Sequence, residues 1–242
     1  LLFACGALWL ALSTPATASS VPSCHRGKAV VGQPTDRVSW RAQLLGRIAF
    51  YSTIPRVGAP RRGSVRPSQA AWLLVLDAAD DRNGRCWVKV RLPTRPNGGA
   101  AWIDSARVHL RPTGWRIVIS LARRTLTLDH AGTATGRVRV VIGAHATPTP
   151  SGLFSVIGVW RSSPNAFLGS WTLPLSAHSD VLHEFDGGDG RVGIHGRGGT
   201  SLQDPLGSAA SHGCIRLANT AIDWLVHTIT AAQLPGTPVA VA

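Results

Sequence analysis

The chain has 242 residues, 44% of them hydrophobic, enough to bury one large core or two modest ones. Its net charge of +13 is lopsided: residues 1–113 hold 16 basic against 5 acidic side chains, residues 114–242 hold 9 against 7. No recognised nucleic-acid motif accompanies this charge, which leaves either an anionic surface attracted through long-range fields or a merely solvated arginine-rich face.

Taken in chain order, residues 1–12 are almost wholly apolar, and residues 14–20 are small and turn-prone around the A-x-A-like triplet Ala16-Thr17-Ala18. They read as a secretory signal peptide over residues 1–18 that lacks its charged start. The run is shorter than the about 20 apolar residues a spanning helix needs. Cys5 sits in a lipobox-like setting, yet the apolar run continues past it, which favours cleavage after Ala18. Export is therefore expected, into an oxidising space where Cys24, Cys86 and Cys214 leave one thiol unpaired.

Residues 19–35 are small and polar and read as a tether. Apolar stretches at 40–54 and 71–76 flank a loop rich in Pro, Gly and Arg at 55–69. Trp87, Lys89 and Arg91 then alternate with Val88, Val90 and Leu92, residues 93–99 turn, and Ala101-Trp102-Ile103 resumes as a second strand. Short strands with tight connections predict a small β-barrel module over residues 36–112.

From Gly114 the alternation is steady through Ile117, Ile119, Leu121, Leu126, Leu128, Val138, Val140 and Ile142, predicting antiparallel sheet. Residues 153–160 and 171–175 offer further strands. One helix is expected where Ile222, Leu225, Val226 and Ile229 recur at helical spacing, capped by Asn219 and ended by Pro235, before a last strand at 239–241. Trp160, Phe167 and Trp171 suit either the core or a cleft wall, with core the default.

The chemistry concentrates in Ile194-His195-Gly196 and in Ser211-His212-Gly213-Cys214-Ile215-Arg216-Leu217. A catalytic cysteine works as its thiolate and needs a neighbour to take its proton. His195 is the candidate base and Cys214 the candidate nucleophile. The Gly196 carbonyl can hold the imidazole in one tautomer, as an acidic residue does in other triads. Backbone N–H groups at the Gly213-Cys214 step can form an oxyanion hole, worth about 3 kcal/mol per donor. A zinc site of His195, His212 and Cys214 lacks a fourth protein ligand and any C-x-x-C spacing. An inert core cysteine is the other competing reading, and it suits a Gly-flanked turn poorly. His178 and His183 precede the active strand as candidate cleft residues; His145 has no motif around it.

These residues resemble the L,D-transpeptidase (YkuD) catalytic domain, whose signature is a histidine, a loop of this length, and S-H-G-C followed by an aliphatic residue and Arg or Asn. The resemblance extends to Pro148-Thr149-Pro150-Ser151-Gly152-Leu153-Phe154 and to Leu175-Ser176-Ala177-His178-Ser179-Asp180. It covers residues 114–242 and implies a β-sandwich with one packed helix. Trp87 to Gly98, followed by Trp102-Ile103, is similar to the SH3-like module that precedes this domain in some actinobacterial wall enzymes.

The family resemblance implies Cys214 as acyl acceptor, His195 as base and Gly196 as orienting carbonyl. Ser211, His212 and Gly213 would shape the nucleophile loop, and Arg216 would hold that loop or a substrate carboxylate. It further implies peptidoglycan stem peptides as substrates, an anionic cell-wall surface as partner, 3→3 cross-links as product, and neither cofactor, metal nor nucleic acid. An L,D-carboxypeptidase at the same site and a non-catalytic wall-binding protein are the alternatives. A nucleophile cannot also sit in a disulfide, so Cys24 and Cys86 are the expected pair. Closing a loop of about 60 residues this way contributes roughly 4 kcal/mol in chain-entropy terms.

Overall fold

The computed structural model describes residues 24–26, 29–56 and 58–242. The expected signal peptide, residues 1–18, lies outside them. Part of the expected tether is structured: β1 (Cys24–Arg26) and β2 (Ala29–Val31) form an antiparallel hairpin. A disulfide joins Cys24 to Cys86, with Cα atoms 5.4 Å apart. Cys24 and Val31 are fully buried in the core of the module that follows.

That module contains β3 (Ser39–Leu44), β4 (Ile48–Phe50), β5 (Gly63–Val65), β6 (Trp72–Asp80), β7 (Cys86–Arg91), β8 (Ala100–Asp104) and β9 (Val108–Thr113). Five of these form an antiparallel sheet in the order β8-β7-β6-β3-β9, and β4 pairs with β5. The alternation read in the sequence is visible in β7, where Val88 and Val90 are fully buried while Lys89 and Arg91 are half-exposed; Trp87, read on the face of Lys89 and Arg91, is buried as well. β5 lies inside the stretch expected to be pure loop, because three residues are too few to show a period.

The second half contains β10 (Trp115–Ser120), β11 (Thr125–His130), β12 (Thr133–Arg139), β13 (Ile142–Gly143), β14 (Gly152–Ser155), β15 (Trp160–Arg161), β16 (Trp171–His178), β17 (Arg191–His195), β18 (Ala209–Ser211), β19 (Ile215–Arg216), α1 (Asn219–Ile229) and β20 (Pro238–Val241). One sheet has the order β12-β11-β10-β20-β14, another β15-β16-β17-β19, and β13 pairs with β18. A single core joins them: Ile117, Ile119, Leu126 and Leu128 from the first sheet meet Leu173, Leu175, Ile194 and Ile215 from the second. This is a mainly β sandwich with one packed helix. Its sheets are mixed rather than antiparallel throughout, since β10 with β20, β13 with β18 and β17 with β19 run parallel.

Ile222, Leu225, Val226 and Ile229 turn one face of α1 into the core, each burial contributing about 1.5–3 kcal/mol. Two expectations at its ends are corrected. Ala218, not Asn219, is the N-cap. The Asn219 amide instead bridges loops: Oδ1 accepts from the Ser170 and Arg197 amides, and Nδ2 donates to the Pro164 and Arg197 carbonyls. The helix also stops at Thr230, whose φ is 70°, ahead of Pro235. Among the described residues no helix is long and apolar enough to cross a membrane.

Candidate active site

Two strands and one turn create a cleft of about 670 Å³. β17 and β19 lie parallel, with Ile194 opposite Ile215 and His195 opposite Arg216. Opposed residues share a face of a sheet and successive ones alternate. Ile194 and Ile215 therefore enter the core, both without exposure, and His195 and Arg216 turn the other way. Cys214, two residues before Arg216, joins them, and all three line the cleft.

His195 is 1% exposed, and its Nδ1 lies 2.7 Å from the Gly196 carbonyl. A carbonyl only accepts, so Nδ1 carries the proton and Nε2 is left as the basic nitrogen. Burial lowers the imidazole pKa to about 4; the Gly196 and Leu168 carbonyls favour the protonated form and Arg216 opposes it. Burial also pushes the Cys214 thiol up, against a backbone hydrogen bond from Gly193 and the Arg216 charge. The residue is half-buried. Both shifts run toward the uncharged forms, a neutral imidazole and a neutral thiol.

The turn that carries Cys214 is tied from two sides. Ser211 Oγ donates to the Cys214 carbonyl (2.6 Å) and accepts from the Gly213 amide (3.2 Å). One of the two N–H groups expected to face substrate is thus already used. Thr149 Oγ1 donates to the Gly213 carbonyl (2.9 Å) and accepts from the Gly143 amide (2.9 Å), and Thr147 Oγ1 donates to the Ser211 carbonyl (3.2 Å). Gly213 has a φ of 117°, a conformation closed to ordinary side chains.

Arg216 is 4% exposed, pairs with Asp204 and lies 4.9 Å over the Phe167 ring. Its guanidinium is thus engaged inside the protein, which suits holding the loop more than meeting a carboxylate. His212 is exposed and stacks on Phe185, centroids 5.0 Å apart.

Trp160 and Phe167, expected in the core, are 61% and 43% exposed and form cleft wall. Only Trp171 of the three packs on the core. The Phe167 ring lies 6.4 Å from His195. Alternation cannot separate a core aromatic from a wall aromatic in short loop segments, which is why these two were misplaced. His178 is 2% exposed and bonds Asp189 (3.0 Å), which itself lines the cleft, and His183 and His145 are exposed.

Sequence reasoning missed Thr147, Thr149, Leu168 and Asp204 as parts of the site. The Thr149 segment stood out as a motif, but nothing in it named Gly213 as a partner. For metal, the one grouping of three possible ligand residues among the described residues is Cys24, Asp80 and Cys86. Two of these are consumed by the disulfide and offer no thiolate.

A curated relative, the putative L,D-transpeptidase YkuD of Bacillus subtilis, is 30% identical over 105 residues, 43% of this chain and 54% of its own. The crystal structure of an Enterococcus faecium L,D-transpeptidase mutant is similar at 23% identity, covering 53% of this chain and 50% of that one, with a TM-score of 0.39. L,D-transpeptidase 3 of Mycobacterium tuberculosis is similar at 14% identity over 84% of this chain and 95% of its own, with a TM-score of 0.45. The chain spans about half the length of the first two of these relatives. The family model for the YkuD L,D-transpeptidase catalytic domain matches residues 114–241, from just before β10 to the end of β20. With more than half of its length inside that match, this chain belongs to the YkuD family of L,D-transpeptidase catalytic domains.

Proposed function

We propose that this protein is an exported peptidoglycan L,D-transpeptidase that works through a Cys214 thioester. The observation that carries this reading is the shared face of β17 and β19, on which Cys214, His195 and Arg216 meet the cleft. The Cys214 sulfur attacks the carbonyl carbon of the third stem residue as its proton passes to His195 Nε2. The tetrahedral intermediate collapses, the C–N bond to the terminal D-alanine breaks, and the leaving amine takes the proton from His195. The side-chain amine of a neighbouring stem then attacks the thioester. Its proton returns through His195 to the departing sulfur, and the product is a 3→3 cross-link. Gly196 fixes the tautomer throughout; Ser211 and Gly213 hold the turn; His212 meets substrate at the cleft mouth.

The module at residues 36–112 is read as SH3-like, supported by its five-stranded antiparallel sheet and the accompanying β4-β5 pair. It turns its basic surface to an anionic wall polymer, a reading supported by exposed Arg47, Arg61 and Arg62 around one shallow basin.

The test is incubation of purified protein with disaccharide tetrapeptide and analysis of products by mass. A dimer lacking one D-alanine is expected, absent with Cys214→Ser. Release of D-alanine without dimer would replace transpeptidase by carboxypeptidase, and no turnover would overturn both. A carbapenem should add one drug equivalent to the intact protein, and retention of that adduct in Cys214→Ser would remove Cys214 from its role.

A further inference from the structure

One wall of the cleft is the segment 179–190, from which Leu182, Phe185, Asp189 and Gly190 face inward. Residues 183–189 are all exposed, so this wall buries little apolar surface of its own. Its internal bonds are the neck, Ser179 amide to Gly190 carbonyl (2.8 Å), the reciprocal Phe185–Gly188 pair (3.0 and 2.9 Å), and the Ser179 hydroxyl accepting from the Val181 and Leu182 amides. A segment so built has low local stability unless something outside fixes it.

The outside anchor comes from the N-terminal module. Arg95, in the turn between β7 and β8, donates from Nη1 to the Ser179 carbonyl (2.7 Å) and from Nη2 to the carbonyls of Leu182 (3.0 Å) and Asp189 (3.1 Å). These lie at both legs and near the middle of the segment. Two residues on, Asn97 accepts from the His178 amide (2.8 Å) and donates to the His178 carbonyl (2.6 Å) and to Asp180 Oδ1 (2.8 Å). Arg191 reciprocates with a bond to the Pro93 carbonyl (3.2 Å). Gly190 sits at φ 68°, where a Cβ would overlap the Leu182 carbonyl oxygen and press on Arg95 Nη2. The planar guanidinium reaches these three carbonyls from two separate nitrogens held in a fixed fork, whereas a lysine's three donors all diverge from one.

We propose that Arg95 and Asn97 are positioning residues through which the N-terminal module sets the shape of the substrate-binding wall. They touch neither Cys214 nor His195, so their effect falls on substrate binding and not on the chemical step. The kinetic part of this inference rests on the stem-peptide reading above; the structural part does not.

The test uses the full chain with Arg95→Ala, Arg95→Lys and Asn97→Ala. Hydrogen exchange of residues 180–190 should accelerate about tenfold or more in Arg95→Ala while β10 and β11 keep their protection. KM for the disaccharide tetrapeptide should rise by about tenfold with kcat within about twofold, and alkylation of Cys214 by iodoacetamide should be unchanged. Arg95→Lys, which keeps the charge and most of the packing, should fall between. Unchanged exchange in 180–190, or a kcat that falls together with the alkylation rate, overturns the proposal. If the native chain does not turn over the peptide, the stem-peptide reading fails, and the exchange experiment alone decides the role of Arg95.

Discussion

Two loops face each other across the cleft, and they are held by opposite means. The 211–217 turn is fixed from within its own domain by Ser211, Thr147 and Thr149, with Ser211 and Thr149 themselves buried. The 179–190 segment is nearly all exposed and is held by hydrogen bonds that cross from the N-terminal module. The difference separates two jobs. Reacting atoms are placed by interactions that water cannot easily compete for, whereas the substrate wall is placed by a neighbour that can be altered without touching the chemistry. Changes on the first side should lower kcat, and changes on the second should raise KM.

The largest effect on the first side should come from His195→Ala. Removing a general base costs about 10²–10⁴-fold in rate, so tetrapeptide turnover should fall by that factor while circular dichroism stays native. If His212→Ala is equally dead and His195→Ala stays active, the two roles are exchanged.

Next in size is the pH response. His195 has a folded pKa of about 4, against about 6.5 when exposed. Between those values the unfolded chain binds a proton that the folded chain refuses. Stability from this group is therefore complete above about pH 6.5 and is lost as pH falls toward 4, by about 3 kcal/mol in all. His178, also held below its ordinary value by burial, adds in the same direction. Urea titrations at pH 7 and pH 4 measure the loss, and His195→Gln should flatten it. The acid limb of kcat/KM should likewise lie near pH 4. A limb near 6.5 would mean the imidazole is wetter than the cleft walls allow.

Thr149→Val sharpens the comparison further. It keeps the shape but strands the Gly143 amide and the Gly213 carbonyl, a cost of about 1–3 kcal/mol in stability. Activity should fall through kcat with KM held, the reverse of Arg95→Ala. The smallest effect belongs to Phe185→Ala, which removes one exposed ring stacked on His212. About 0.5 kcal/mol, or a twofold rise in KM, is expected there, and a collapse of kcat would show that the two loops do not act separately.

Much of the fold was legible because alternation reports which side chains face the core, and it did so in β7, β10 and β11. It cannot name a strand's partner. The parallel pairing of β17 with β19, which assembles the site, was therefore out of reach even though His195 and Cys214 were both visible as residues. Short elements such as β5 carry no period. Asn219 read as a cap because its type and position suit one, but a primary amide with two donors and an acceptor was worth more tying two loops together. Arg95 gave no local sign at all, since its partners are main-chain carbonyls some 84 to 94 residues away. Motifs mark groups that react; the groups that place them are tertiary facts.

The uncharged resting state of Cys214 also bears on how long the protein lasts. Peroxides and similar agents attack the thiolate, which then climbs through sulfenic to sulfinic acid, the later steps being irreversible. Cys214 is the free cysteine among the described residues, and its thiol, pushed up rather than down, offers little of the vulnerable form at rest. Slow dimedone labelling after peroxide, quickened when His195 or the cleft wall is opened, would register that endurance. A thiol held in its neutral form is slow to be spent in this way.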